Sequence, residues 1–328
     1  MCENLHILIF YDILFLVIDL EKEIINKVKF LIKKGIPLEE MAERVGLSKE
    51  ELIGLAMILK EEGFLVDYID GELVKLKKPI ENSGVYSIPD NTHHLSLLMI
   101  SDSHLTNKAD RIDILNYLYD KAESKGIKYV LHCGDVLDGM YLNRPQHIYE
   151  LRCVGFDEHL DYVVNKYPHF SGKTFFIGGN HMDTYFKNGG SDMGKAISRE
   201  REDLVYLNPD TADLKIGKVG IHMHHGGGGR SYSLSYKLQR YVETLPQDKK
   251  IDIVMQGHFH NAMYMYYMGK HCFQVGALED DTPFSRSMGF KNEKSCYWVD
   301  IEVDDKGNIY SIEPTLEVFE GKKLIRRR

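Results

Sequence analysis

The sequence predicts an α/β protein, a sandwich of two packed sheets preceded by a small helical domain. Three observations carry this. From Leu95 onward short apolar runs alternate with amphipathic stretches, the second half of the chain turns strand-rich, and residues 24–78 carry helical and then hairpin patterning.

The first element is "LHILIFYDILFLVIDL" at 5–20, the one strongly apolar segment. It is shorter than a bilayer span, contains Asp12 and has no basic residue before it. It therefore predicts a helix packed on its own or a second subunit, giving a homo-oligomer through the N-terminal region and no membrane contact. Next, "IINKVKFLIKKG" has helical spacing and stops at Gly35, and "IPLEEMAERVG" is a short helix with acidic residues in its first turn. Ser48 and Glu51 are spaced as a capping box that opens "SKEELIGLAMILKEEG", and "FLVDYIDGELVKLKK" predicts a hairpin turning at Asp70–Gly71. Three helices and a hairpin within residues 1–80 resemble a winged helix-turn-helix domain. Its charge opposes a DNA-reading role. Residues 1–80 hold 11 Lys and Arg against 15 Asp and Glu, a balance of −4, and Glu50, Glu51, Glu61 and Glu62 flank the third helix. Dimerisation or substrate positioning is the better expectation. "ENSGVYSIPDNTHH" (81–94), with its Gly, Pro and Asn, reads as a linker.

The large domain is expected over 95–320. "LSLLMI", "YVLHC" and "KTFFIGG" are short apolar strands, with "DRIDILNYLYDKAESKG" as an amphipathic helix and "HIYELRCVGFDEHLDYVVNKY" as a second, long one. "LVYL", "VGIHMH", "DIVMQG", "MYMYYM", "HCFQVG" and "SCYWVDIEV" are further strands. The end, 321–328, is a basic tail.

Composition narrows the classes. The chain has 328 residues and a net charge of −8, so it has no general attraction to nucleic acid or acidic membranes. Five scattered cysteines (Cys2, Cys133, Cys153, Cys272, Cys296) without C-x-x-C spacing fit reduced thiols in a cytoplasmic protein.

The chemistry gathers at strand exits. "MISDSH" places Asp102 and His104 past one strand and "LHCGDVLDG" places Asp135 past the next, where Gly134 lets the backbone come close. "IGGNHMD" adds Asn180 and His181, "HMHHGGGG" adds His224 and His225, and "MQGHFH" adds His258 and His260. Any one of these is an ordinary cap or turn residue. Five in succession are not, and imidazoles with carboxylates are nitrogen and oxygen ligands suited to manganese, iron or zinc. Two such ions about 3.5–4 Å apart need a shared ligand, which a carboxylate can supply.

The order D-x-H, G-D-x-x-D, G-N-H, H-G and G-H-x-H over residues 95–280 resembles the calcineurin-like metallophosphoesterase superfamily. The resemblance implies a four-layer αββα sandwich with a dimetal site at the C-terminal edge of the sheets. It implies two divalent transition ions, manganese first, with iron, zinc or nickel as alternatives. Asp102, His104 and His260 would hold one ion, Asn180, His225 and His258 the other, and Asp135 would bridge. His225 is preferred to His224 because the family ligand precedes Gly, here Gly226. His181 would contact the phosphate and protonate the leaving group, with Asp183, one residue later than the family's acidic position, orienting it. Asp138 would support Asp135 or cap a turn. Arg230, after the glycines, would reach a substrate phosphate, and Arg144, with Tyr141, Asn143, Tyr232 and Tyr236, would line a track to the metals.

"GFDEHLDYVVNKYP" and "SYSLSYKLQRYVE" look closest to phage and prokaryotic members described as nucleases. The implied reaction is hydrolysis of a phosphodiester, DNA or RNA among the candidates, through a metal-bridging hydroxide. Two alternatives stand beside it. One is a phosphomonoesterase on nucleotides or phosphoproteins; the other is a DNA-binding regulator whose second domain senses a ligand, which degenerate ligand positions would favour.

Overall fold

The computed structural model describes residues 23–61, 66–69, 71–75, 85–246 and 248–321. The apolar segment at 5–20 and the basic tail from 322 lie outside these residues. The chain forms two compact units, Met1–Asn82 and Ser83–Arg328.

In the small unit, residues 23–34 are helical (α1), followed by α2 (Leu38–Val45), α3 (Lys49–Glu61) and the antiparallel strands β1 (Val66–Ile69) and β2 (Glu72–Lys75). Gly46, at φ 77°, closes α2 by returning its N–H to the Ala42 carbonyl. The capping box forms: Ser48 N–H donates to Glu51 Oε2 at 2.8 Å and Glu51 N–H to Ser48 Oγ at 3.1 Å. Val28, Ile32, Met41, Leu52 and Leu59 make the core, while Met57 and Ile58 stay exposed on α3.

The large unit holds two six-stranded mixed sheets. The first has the order β14-β13-β4-β5-β6-β7, from β4 (His94–Ile100), β5 (Tyr129–His132), β6 (Lys173–Ile177), β7 (Leu204–Asn208), β13 (Ser295–Val303) and β14 (Ile309–Val318). The second has the order β11-β12-β10-β9-β8-β3, from β3 (Tyr86–Ile88), β8 (Thr211–Ile216), β9 (Val219–His224), β10 (Ile253–Gln256), β11 (Met263–Tyr267) and β12 (Lys270–Gln274). Along β4 the side chains alternate: Leu97 and Met99 face the second sheet's Ile221, Met255 and Phe273, while Leu98 and Ile100 face helices. Those helices are α4 (Ile112–Ser124), α5 (Phe156–Lys166) and α7 (Met193–Glu200), and α6 (Asp183–Gly189) precedes the last. On the far side α8 (Tyr236–Val242) packs Leu238 and Val242 on Val254 and Cys272. The layers are therefore helix, sheet, sheet, helix. Strands buried on both faces read as continuous apolar runs, which is why they stood out in the sequence.

Two expectations are corrected. The stretch 147–167 is not one helix. A 3₁₀ turn at Pro145–Tyr149 gives way to a bridge between Leu151 and Asn107, and α5 starts only after Gly155, at φ 114°. Arg152 sets that break, its N–H bonding the Thr106 carbonyl at 2.7 Å and its side chain pairing with Asp110. The linker 81–94 is not merely a connection either, because β3 lies within it and pairs in parallel with β8. A three-residue edge strand is too short to show an alternating pattern.

Candidate metal centre

Strands β4, β5 and β6 run parallel in one sheet, and β9 and β10 run parallel in the other. Their carboxyl ends come together, at the edge where ligands of α/β sheets are usually bound. The loops are laced together there. Asp102 N–H donates to the Gly134 carbonyl at 3.0 Å, Asp135 N–H to Gly178 at 2.6 Å, and His258 N–H to Asp102 Oδ2 at 2.9 Å.

The backbone is forced to aim the side chains. Among the described residues seven non-glycines have left-handed φ, and five of them are Asp102, His104, Asp135, His258 and His260. Each such residue costs about 1–3 kcal/mol, and strain of this kind concentrates at functional sites. Glycine is required beside them. A Cβ on Gly134 would sit 2.3 Å from His225 Nδ1, and one on Gly179 would sit 2.4 Å from Asp135 Oδ1.

Ligand atoms of Asp102, His104 and His260 lie within 4.8 Å of one another, as do those of Asp135, His225 and His258, and those of His104, Asp135 and His181. The outward nitrogens are already committed. His104 Nδ1 donates to Asp138 Oδ1 (3.2 Å), His260 Nδ1 to Asn292 Oδ1 (3.0 Å) and His225 Nδ1 to the Cys133 carbonyl (2.8 Å). Their Nε2 lone pairs therefore point inward at other acceptors. His104 Nε2 and His260 Nε2 are 3.2 Å apart, and His225 Nε2 faces Asn180 Oδ1 at 3.2 Å and Asp135 Oδ2 at 2.8 Å. His258 is turned the other way, its Nε2 donating to the Gly228 carbonyl at 2.9 Å, which leaves Nδ1 inward.

Charge says the same. Asp102, Asp135, Asp138 and Glu279 are all buried, and among the described residues no Lys or Arg pairs with any of them. Against the cost of burial, Asp135 and Asp102 push His225 up to about 9, and Glu279, Asp102 and Asp138 hold His104 well above its usual range. Buried carboxylates without cations are expensive. Converging ring nitrogens and buried carboxylates with no Lys or Arg partner fit divalent cations, which would take the place of the protons the histidines hold, and the nitrogen and oxygen donor set fits first-row transition ions.

Residues 95–292 match the calcineurin-like phosphoesterase superfamily domain. The chain belongs to that superfamily. No curated protein matches the chain. Among solved structures it is similar to an archaeal phosphodiesterase, with 13% identity over 69% of this chain and 100% of that one and a TM-score of 0.40. It is also similar to Vps29 of Entamoeba histolytica complexed with Zn²⁺ (17% identity, 69% of this chain and 100% of that one, TM-score 0.36). A third is a putative 5′-nucleotidase from Staphylococcus aureus in complex with alpha-ketoglutarate (13% identity, 71% and 56%, TM-score 0.41).

In this calcineurin-like phosphoesterase the remaining candidate residues divide. His181 joins the cluster, its N–H on Asp135 Oδ1 at 2.9 Å. Asp183 does not reach it; as the first residue of α6 its carboxylate pairs with Lys187 Nζ at 2.7 Å, one turn on. His181 Nδ1 is held instead by Asp138, by the carbonyl at 2.8 Å and by Oδ1 at 2.6 Å. His225, just past β9, faces Asp135, whereas His224, its last residue, does not. His224 lies flat on Tyr241, with ring centroids 3.7 Å apart, and burial lowers it to about 3. Asn180 is oriented by Tyr141, whose hydroxyl accepts from its Nδ2 at 2.8 Å. Arg144 and Arg230 lie on aromatic rings, Arg144 over Tyr141 and Phe284 and Arg230 over Phe290.

Sequence reasoning underrated Asp138, which gathers His104, His147, His181 and Asn107. Burial raises its carboxyl, but the charge of His181 and the hydrogen bonds from the three histidines outweigh this and hold it well below the usual range. Its signal was present in "GDVLD". His147, Glu279 and Asn292 sit in no motif and carried none.

Proposed function

We propose that this phosphoesterase hydrolyses phosphodiesters, with nucleic acid or nucleotides as substrate class, using two manganese-type divalent ions. Asp102, His104 and His260 would hold one ion and Asn180, His225 and His258 the other, with Asp135 near ligand atoms of both groups. The observation that supports the metal part of this reading is the inward Nε2 atoms of His104 and His260, 3.2 Å apart with both Nδ1 atoms turned away. Bound there, the ions would supply an activated water and draw charge from the phosphoryl oxygens.

His181 delivers the leaving-group proton. Asp138 fixes its Nδ1–H, so Nε2 is the atom presented, and the carboxylate at 2.6 Å steadies the imidazolium before transfer. Arg230 engages the phosphate from the rim. One of its nitrogens donates to the Lys291 carbonyl at 3.2 Å, and Phe290 supports the guanidinium plane. The small unit is read as winged-helix-like and as a dimerisation or substrate-positioning module. Glu50 and Glu51 in the first turn of α3 repel a phosphate backbone, and Met57 and Ile58 expose apolar surface instead.

The test is the initial rate with Mn²⁺ on bis(p-nitrophenyl) phosphate beside p-nitrophenyl phosphate, with Asp135→Asn as control. Preference for the diester, lost in the control, supports the reading. Preference for the monoester moves the substrate to nucleotides or phosphoproteins.

A further inference from the structure

Arg144 is fixed between two rings. Its guanidinium carbon lies 4.5 Å from the centre of Tyr141 and 4.4 Å from that of Phe284. Two rings at these distances hold the cation by cation–π attraction and leave its N–H donors, the part that grips phosphate bidentately. Among the described residues the guanidinium has no ion-pair or hydrogen-bond partner. Burial raises the carboxyl of Glu150, and Arg144 is among the charges that draw it back, yet the two form no ion pair.

The support is built rather than incidental. Phe284 stands on α9 (Pro283–Ser287), whose start is fixed by reciprocal bonds between Thr282 and Ser285 at 2.8 and 3.0 Å. The same strap, residues 279–292, places Phe290 under Arg230 and Asn292 against His260. A cation ordered in advance loses little side-chain freedom when it binds.

Its place decides what it reads. Tyr141 stands between Arg144 and the metal centre, its hydroxyl on Asn180 and its ring edge-on to His181 with centroids 5.0 Å apart. An anion gripped by the outer edge of Arg144 is separated by a phenol ring from the phosphate at the ions.

We infer that Arg144 binds a phosphate adjacent to the scissile one, so that the substrate is a nucleotide chain with two or more phosphates rather than an isolated ester. This rests on the phosphodiesterase reading above.

The experiment compares kcat/KM of the full chain with Mn²⁺ on three substrates. These are a thymidine dinucleotide without terminal phosphate, the same with a 5′-phosphate, and the same with a 3′-phosphate. One phosphorylated form should be favoured by about tenfold or more, the weight of a charge-assisted hydrogen bond. Arg144→Met, which keeps the packing between the rings, should bring that ratio to within about twofold, mainly by raising KM for the favoured form. Arg144→Lys, which keeps the charge but not the fork, should fall between. Phe284→Leu, which removes one ring, should lower the same ratio and covers the case in which the Met variant does not fold. If both unphosphorylated dinucleotide and bis(p-nitrophenyl) phosphate are cleaved but neither terminal phosphate helps, the inference fails and the phosphodiesterase reading stands. A preference that survives in Arg144→Met also overturns it, and cleavage of no diester overturns both.

Discussion

The carboxylate of Asp138 lies 2.6 Å from Nδ1 of His181. The residue that the family resemblance nominated for this task, Asp183, is paired with Lys187. Asp138→Asn should therefore slow turnover about 10–100-fold, the usual effect of removing a partner that orients a site group. Asp183→Asn should stay near wild type. Initial rates at saturating Mn²⁺ check this, and an equal loss in both variants would refute the assignment.

His181→Ala should keep both ions and lose about 10²–10⁴ in rate, the contribution of a positioned proton donor. Calorimetric Mn²⁺ titration beside the rate assay separates the two effects. Wild-type-like turnover, or loss of one equivalent of metal, would count against its role.

Buried Asp102, Asp135 and Asp138, paired only with histidines and with no Lys or Arg, should make stability depend on metal. At about a hundredfold excess over its dissociation constant, Mn²⁺ should stabilise the fold by about 2.7 kcal/mol per site. Asp135→Asn should reduce that gain. Thermal melts with Mn²⁺ and with chelator provide the comparison, and identical curves would sink the prediction.

The histidine on Tyr241 carries a pH signature. Burial first, then the charges of His222, His225 and His258, lower His224 to about 3, and burial lowers His132 to about 4. The unfolded values lie near 6.5, so the stability from keeping these rings neutral is fully present above about pH 6.5. As pH falls below that, the unfolded chain takes up the protons first and stability is lost progressively until the folded values are reached. His224→Phe keeps the stack on Tyr241 and removes one titration. Its urea midpoint should change less steeply between about pH 6.5 and 4 than that of wild type, and an unaltered slope would show that His224 is not the group responsible.

Much of the centre was legible because its residues sit at strand exits, where a buried apolar run ends abruptly in Asp, Asn or His. Asp102, His104, Asp135, Asn180, His225, His258 and His260 all belong to such junctions. His224 and His225 could not be separated by chemistry alone; their contacts differ, His224 lying on Tyr241 and His225 facing Asp135. The break before α5 was hidden because helical spacing in "HIYELRCVGF" is local, whereas Arg152 is claimed by Thr106 and Asp110 from a distant loop. The strap at 279–292 was hidden for a different reason. Glu279, Phe284, Phe290 and Asn292 are functionally placed only by what they touch, and nothing in their spacing says so.

The candidate ligands come from both halves of the sandwich: Asp102, His104, Asp135 and Asn180 follow strands of one sheet, His225, His258 and His260 strands of the other. Cations seated among them would act as rivets through the two sheets. Loading should then slow amide hydrogen exchange in β4 and β10 together, although these strands belong to different sheets and share no backbone ladder.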